Sequence, residues 1–285
     1  GDDASARIFR AAPKYLFYLR MLWAIRTLLL VAVALISIVI ISGIIDIPFS
    51  WYKQFHLEER FGFNRMNKKL FFSDMFKGLG VGGAIGIPLL WEILSLMAQA
   101  GDLWWLWAWG VLTAFSLLMQ WIFPTFIAPI FNKFEALEDG PLKTQIEALL
   151  KRCDFASQGL FVMDGSKRSA HGNAFFAGMG KAKRIVFFDT LITSLDSEEV
   201  EAVLAHELGH MKKKHVLIGM IKSFIFSFIG LAVLGYLKNN VYFFNGHGVQ
   251  TITDYMALTL FSMVAGVYTF LLTPISAYSS RKHEY

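Results

Sequence analysis

Charge is scarce in this chain. Lys, Arg, Asp and Glu supply only 17% of its 285 residues, while 55% are hydrophobic. A soluble domain carries about a quarter charged residues, so an ordinary soluble protein is a poor fit. Cysteine is almost absent: Cys153 stands alone. That excludes an intrachain disulfide and a cysteine-based metal site, and a single thiol is expected to be buried and inert rather than a nucleophile. The net charge of +5 comes without a basic stripe interleaved with aromatics, so no nucleic-acid partner is expected. No internal repeat, linker or low-complexity tract divides the chain, and no secretory signal is expected at its start.

Apolar length is abundant instead, with a mean hydropathy of +0.48. Five segments are long enough to cross a bilayer: Thr27–Ile45, Gly78–Ala98, Leu103–Ile122, Val216–Leu237 and Tyr255–Tyr278. The 27 Phe and 8 Trp suit contact with membrane lipid and its interface. Glu92 lies inside the second span and is expected to face a polar lumen. Lys222, about two turns from the interface, is expected to snorkel. Trp104, Trp105, Trp107 and Trp109 open the third span and read as an interfacial aromatic belt. Gly78, Gly82 and Gly86 recur every four residues and predict close helix–helix packing. The local match to G-x-G-x-x-G lies in a span and follows no strand, so it is no dinucleotide loop.

Lys and Arg cluster in Asp46–Lys77, in Phe123–His215 and after the last span. Five crossings put all three on one side, which the positive-inside rule makes cytoplasmic. The other side keeps only Lys238. Arg7, Arg10, Lys14, Arg20 and Arg26 run against that count, and three loops outweigh one tail. The chain divides into a basic segment 1–26, membrane helices and a loop 27–131, a soluble part 132–215 and membrane helices 216–285. In the soluble part, Pro141 opens a helix with Leu142, Ile146, Leu149 and Leu150 at helical spacing. Leu160–Met163 and Arg184–Phe188 read as strands, with Asn173–Met179 as a third. Asp196 and Glu199 form a capping box for the helix that follows.

That helix carries His206-Glu207-Leu208-Gly209-His210. Two imidazoles at i and i+4 share one face and can reach one metal ion. Glu207 between them can take a proton from a water on that ion, which is the working arrangement of a zinc peptidase. A catalytic zinc takes three protein ligands and keeps one open position. His171, His283 and Glu284 are candidates for the third, and spacing does not choose among them. His215, five residues past His210, points away from the site if the helix is regular.

Further motifs identify a resemblance. They are Glu58-Glu59-Arg60-Phe61-Gly62-Phe63-Asn64, Ile127 to Phe134, Gly165-Ser166-Lys167-Arg168-Ser169-Ala170-His171-Gly172-Asn173-Ala174-Phe175-Phe176, Lys183 to Leu191, and Ser280 to Tyr285. With His206–His210 in order, the chain resembles the integral-membrane zinc peptidases of the CAAX prenyl protease type 1 family from Leu29 onward. The resemblance implies a mainly α fold, a polytopic membrane helical bundle or barrel around a chamber, with a small α+β zinc-peptidase domain. It implies one Zn2+ per chain on His206, His210 and Glu284, with Glu207 as general base. Asn173, Ala174, Phe175 and Phe176 are expected to bind substrate, Asn173 beside the cleft and the stretch as an edge strand. The expected substrate is a peptide or protein, prenylated or not, and the expected location a bacterial inner membrane or an ER-type membrane. The related heat-shock-type quality-control peptidases are the alternative. Two departures stand out: only the equivalents of the last five of the family's seven spans are found, and the family's Asp after the Glu284 segment would fall past Tyr285. A fragment of a longer protein is therefore expected.

Overall fold

A computed structural model describes residues 40–177 and 184–284, together with Tyr18, Leu22, Val33 and Ser37. The side chains of residues 279 and 282–284 lie outside that description. Residues 40–52 are helical and continue into a π-helical turn, Lys53–Glu58. The remaining helices are α1 (Lys68–Gln99), α2 (Trp104–Ile122), α3 (Ala128–Phe131), α4 (Pro141–Arg152), α5 (Asp189–Ser194), α6 (Ser197–Lys212), α7 (His215–Leu237), α8 (Val241–Gly246) and α9 (Asp254–Glu284). Four strands join them: β1 (Phe134–Ala136), β2 (Leu160–Met163), β3 (Ala174–Ala177) and β4 (Arg184–Phe188).

Among the described residues, four helices are long and apolar enough to cross a membrane: Lys68–Gln99, Gly101–Phe131, His215–Leu237 and Asp254–Tyr278. These match four of the five expected spans, and much of the first, Thr27–Ile45, lies outside the described residues. Many of their apolar side chains are exposed. Ile218, Ile221, Ile225 and Ile229 on α7 are exposed, as are Val267, Phe270 and Leu271 on α9. Exposed apolar surface on this scale is what helices that cross a bilayer carry.

The helices pack at one end. The buried residues of α1 are Ile93, Leu94 and Met97, in its last two turns. Those of α2 are Trp104 and Ala108, at its start, and that of α7 is Leu234, near its end. With Phe244, Ala257 and Leu260 they form one cluster. Trp104 is 2% exposed, so it is core rather than belt. Trp105 and Trp109 pack edge-on against Phe228 of α7, and only Trp107 is fully turned outward. Large rings opposite a small residue on α7 are drawn into the helix pair instead of the interface. Lys238 seals this end, pairing with Asp254 at 3.0 Å, donating to the Met97 carbonyl and lying over the Trp104 ring.

Among the described residues, the glycine repeat on α1 meets no close helix partner. A side chain added at Gly78, Gly82 or Gly86 would meet nothing within 4 Å among the described residues, and the buried residues of α1 lie further along, at Ile93–Met97. The close approach is at Gly235 of α7, where a Cβ would fall 2.5 Å from Cδ1 of Trp105.

The soluble part is a four-stranded sheet of order β1-β2-β4-β3, with β2 and β4 parallel and both outer pairs antiparallel. β1 was not expected: three residues directly after a helical stretch give no period to read. Alternation along β4 sends Ile185 and Phe187 to one face and Val186 to the other. The first face packs under α4 and α6 with Ile146, Leu149, Val200, Leu204 and Leu208. The second, with Met163, Ala177 and Val186, carries a smaller cluster.

Helix α4 ends in an αL turn. Asp154 takes φ 53°, and the Phe155 and Asp154 amides donate to the carbonyls of Leu150 and Lys151. This Schellman arrangement folds Phe155 back onto the core. Cys153 at the cap is left exposed, not buried as expected. At the helix entry Lys143 holds the Asp139 carboxyl below its ordinary range through their hydrogen bond, and Asp139 raises Lys143 in return.

The soluble part is fastened to the membrane helices by its loops. Arg168 donates from Nε and Nη2 to the Asp74 carboxylate of α1, at 2.7 and 3.1 Å. It also donates to the Asn132 side chain and the Phe131 carbonyl. Alongside, Asn64 and Ser169 form a bridge, with the Arg65 amide donating to the Arg168 carbonyl and the Ala170 amide to that of Phe63. The loop before α1 and the soluble part therefore lie on the same side, as the charge count expected.

Candidate metal centre

Helix α6 positions the metal-ligand candidates. Asp196 accepts from the amides of Glu198 and Glu199 while Glu199 accepts from the Asp196 amide, a complete capping box. This fixes the first turn. Val200, Leu204 and Leu208, four residues apart, are buried against the sheet, which fixes the rotation of the helix. His206 and His210 then sit on a neighbouring face, and their Nε2 atoms come within 2.9 Å. Two nitrogens bound to one zinc at about 2.0–2.1 Å are roughly 3.3 Å apart in a tetrahedral site. The pair stands slightly inside that spacing, so a small parting of the rings lets both face one ion, and neutral imidazole is a donor that zinc accepts.

A cavity of about 660 Å³ lies beside them. Glu207, His210 and Met211 line it from α6, Phe175, Phe176 and Ala177 from β3, and Ser116, Met119 and Gln120 from the end of α2. Its wall continues through Phe123 and Pro124, in the π-helical turn Phe123–Ile127 where Pro124 cannot donate to the helix ladder. A carboxylate, an imidazole, a strand and the end of a membrane helix therefore share one space.

Among the described residues β3 pairs with β4 on one side only, and a strand edge of this kind is where an extended peptide can add. Phe175 and Phe176 reach the cavity. Ala174 is buried in the sheet core. Asn173 is exposed, and its side chain accepts from the Ala174 amide at 2.9 Å. Asn173 and Ala174 are not among the cavity residues, so of the four expected substrate contacts the structure gathers two around Glu207.

The candidates for the third ligand separate. His171 Nε2 lies 3.2 Å from Glu58 and its ring stacks on Phe63, which engages it in the loop junction. Glu284 closes α9, but its side chain and that of His283 fall outside the described residues. Among the described residues no group of three His, Cys, Asp or Glu side chains forms a metal site.

His215 is the residue that sequence reasoning misplaced. The helix ends at Lys212, two residues past His210: Lys214 takes φ 56° and its amide donates to the Met211 carbonyl. The αL turn ends α6 and starts α7 in a new direction. An αL helix ending folds the residue after the turn back over the last helical turn. His215 Nδ1 accordingly lies 2.8 Å from His210 Nδ1. No glycine marks this turn among the three lysines, so the sequence carried no signal for it.

Known proteins match the chain along nearly all its length. Residues 6–133 match a family model described as the CAAX prenyl protease N-terminal part with five membrane helices. Residues 136–285 match the model of peptidase family M48. The CAAX prenyl protease 1 of Saccharomyces cerevisiae is 38% identical over 263 residues, covering 86% of this chain and 58% of that protein. A homologue of CAAX prenyl protease 1 from Arabidopsis thaliana is 38% identical over 221 residues, 77% of this chain and 52% of that one. The crystal structure of S. mikatae Ste24p superposes with a TM-score of 0.82 at 36% identity, over 89% of this chain and 63% of that chain. The chain spans a little over half the length of these curated relatives.

Proposed function

The chain belongs to peptidase family M48, and from that premise we propose that it is a membrane-embedded, zinc-dependent endopeptidase of the CAAX prenyl protease type. One observation carries the reading: two imidazole Nε2 atoms 2.9 Å apart, with His210 of that pair and Glu207 opening onto a cavity walled by β3. His206, His210 and Glu284 would hold one zinc ion. When bound, it would supply Lewis-acid polarisation of a carbonyl and lower the pKa of a water toward neutral. An extended peptide adds to the edge of β3, Ala174–Ala177, through main-chain hydrogen bonds. Phe175 and Phe176 flank it, with Asn173 at the strand's entrance. Glu207 then accepts a proton from the attacking water and returns it to the leaving amine nitrogen.

The substrate would be a peptide with a C-a-a-X end, prenylated as the relatives' names suggest. The apolar wall contributed by Met119, Phe123 and Phe176 suits an apolar side chain or lipid group. The site would face the cytoplasm, where the Lys- and Arg-rich loops gather. The relatives described above favour this reading over a heat-shock-type quality-control peptidase. The test is cleavage of a prenylated C-a-a-X peptide and its unprenylated form by the purified protein, before and after zinc removal by chelation. Loss of cleavage on chelation, restored by zinc, is the expected result. Cleavage that survives complete zinc removal would overturn it.

A further inference from the structure

The contact between His210 and His215 has no part in the chemistry above. If His210 contributes its Nε2 lone pair beside His206 Nε2, its one remaining proton sits on Nδ1, since a neutral imidazole carries one N–H. That N–H needs an acceptor, and His210 is half-buried. Nδ1 of His215 lies 2.8 Å from this atom, with the rings inclined at 63°. His215 can accept there only through an unprotonated Nδ1, which places its own proton on Nε2. The two rings therefore fix each other's tautomers, and the lone pair of His210 is aimed at His206.

The backbone is shaped to make this contact. His215 reaches back only because Lys214 adopts the left-handed conformation, which a residue with a Cβ occupies at a cost of about 1 kcal/mol or more. A continuous helix would carry His215 to another face. The strained turn links the catalytic helix to a membrane helix and puts an acceptor behind a ligand.

Resting on the zinc reading, we propose that His215 is a positioning residue of the metal centre. Its Nδ1 accepts from His210 Nδ1–H and holds His210 in the tautomer and ring orientation that present Nε2 to the ion. Partners behind a ligating histidine of this kind are worth 10- to 100-fold in metal affinity. The role is usually taken by a carboxylate or a backbone carbonyl, and here an imidazole would fill it.

The test compares zinc affinity, by chelator competition, in the full chain and in His215→Leu and His215→Asn. Leucine keeps bulk and removes the acceptor. Asparagine places Oδ1 close to where Nδ1 stands and restores it. The expected result is a zinc Kd raised about 10- to 100-fold in His215→Leu and largely recovered in His215→Asn, with thermal unfolding of the zinc-free proteins unchanged. Ring 15N shifts of His210 in the zinc-free parent add a second readout and should report a protonated Nδ1. Equal affinity in His215→Leu, or a proton on Nε2 of His210, overturns the proposal. Loss of zinc from His215→Asn as severe as from His215→Leu also overturns it, since it would make His215 a direct ligand. Should His215→Leu fail to fold, the asparagine variant and the 15N shifts still decide. A parent that binds no zinc at all would instead sink the peptidase reading itself.

Discussion

Arg168 and Asp74 tie the peptidase part to the first described membrane helix through two hydrogen bonds from one guanidinium to one carboxylate. Both side chains are largely covered, 21% and 17% exposed, and Arg168 spends its other donors on Asn132 and Phe131. The sheet, α6 and the cavity are thereby held against the end of α2, whose residues complete the cavity wall.

Arg168→Met is expected to lower stability by about 3 kcal/mol, because it strands the Asp74 carboxylate and two acceptors in a covered site. Thermal unfolding in detergent measures this. Asp74→Asn should cost less, since the amide oxygen still accepts. A variant Arg168→Met as stable as the parent would show that the junction contributes little.

His206→Ala and His210→Ala are each expected to lose zinc, because two remaining ligands rarely retain it. Metal content per chain after dialysis is the measurement. Full occupancy in either variant would refute the ligand assignment.

Glu207→Gln keeps shape and removes the base. Zinc content and folding should match the parent, while turnover falls about 10²- to 10⁴-fold. Turnover near the parent's would remove Glu207 from the mechanism, and loss of zinc along with activity would make it a ligand or a structural group.

The only cysteine reports orientation without any substitution. Cys153 is exposed at the end of α4, in the soluble part. A membrane-impermeant maleimide should label it in inverted vesicles and leave it untouched in right-side-out vesicles. The reverse pattern would place the site on the other face and overturn the positive-inside argument. The Lys181–Lys183 turn, also expected on that face, lies outside the described residues.

Gly235→Ala should destabilise by about 1–3 kcal/mol, as its methyl group has to displace the stem of the Trp105 side chain. Gly82→Ala, with nothing within 4 Å among the described residues, should leave stability unchanged or raise it slightly through helix propensity. Comparable losses at both sites would restore the glycine repeat of α1 as a packing face.

Sequence by itself determined whatever rests on local periodicity and short-range chemistry. The spans from Gly78 to Tyr278, strands β2 and β4, the capping box at Asp196 and the pairing of His206 with His210 all arise within one turn, one pleat or one run of apolar residues. Tertiary structure decided what depends on distant partners or on a single backbone torsion. Trp104 became core because α7, α8 and α9 close over it. Among the described residues the close helix contact is at Gly235, because it meets Trp105 from another helix. Cys153 came to the surface and His215 came back to His210 because Asp154 and Lys214 adopt αL conformations with no glycine to announce them. A left-handed turn at one residue redirects every residue after it, and its cost is recovered only in contacts that the folded chain brings together.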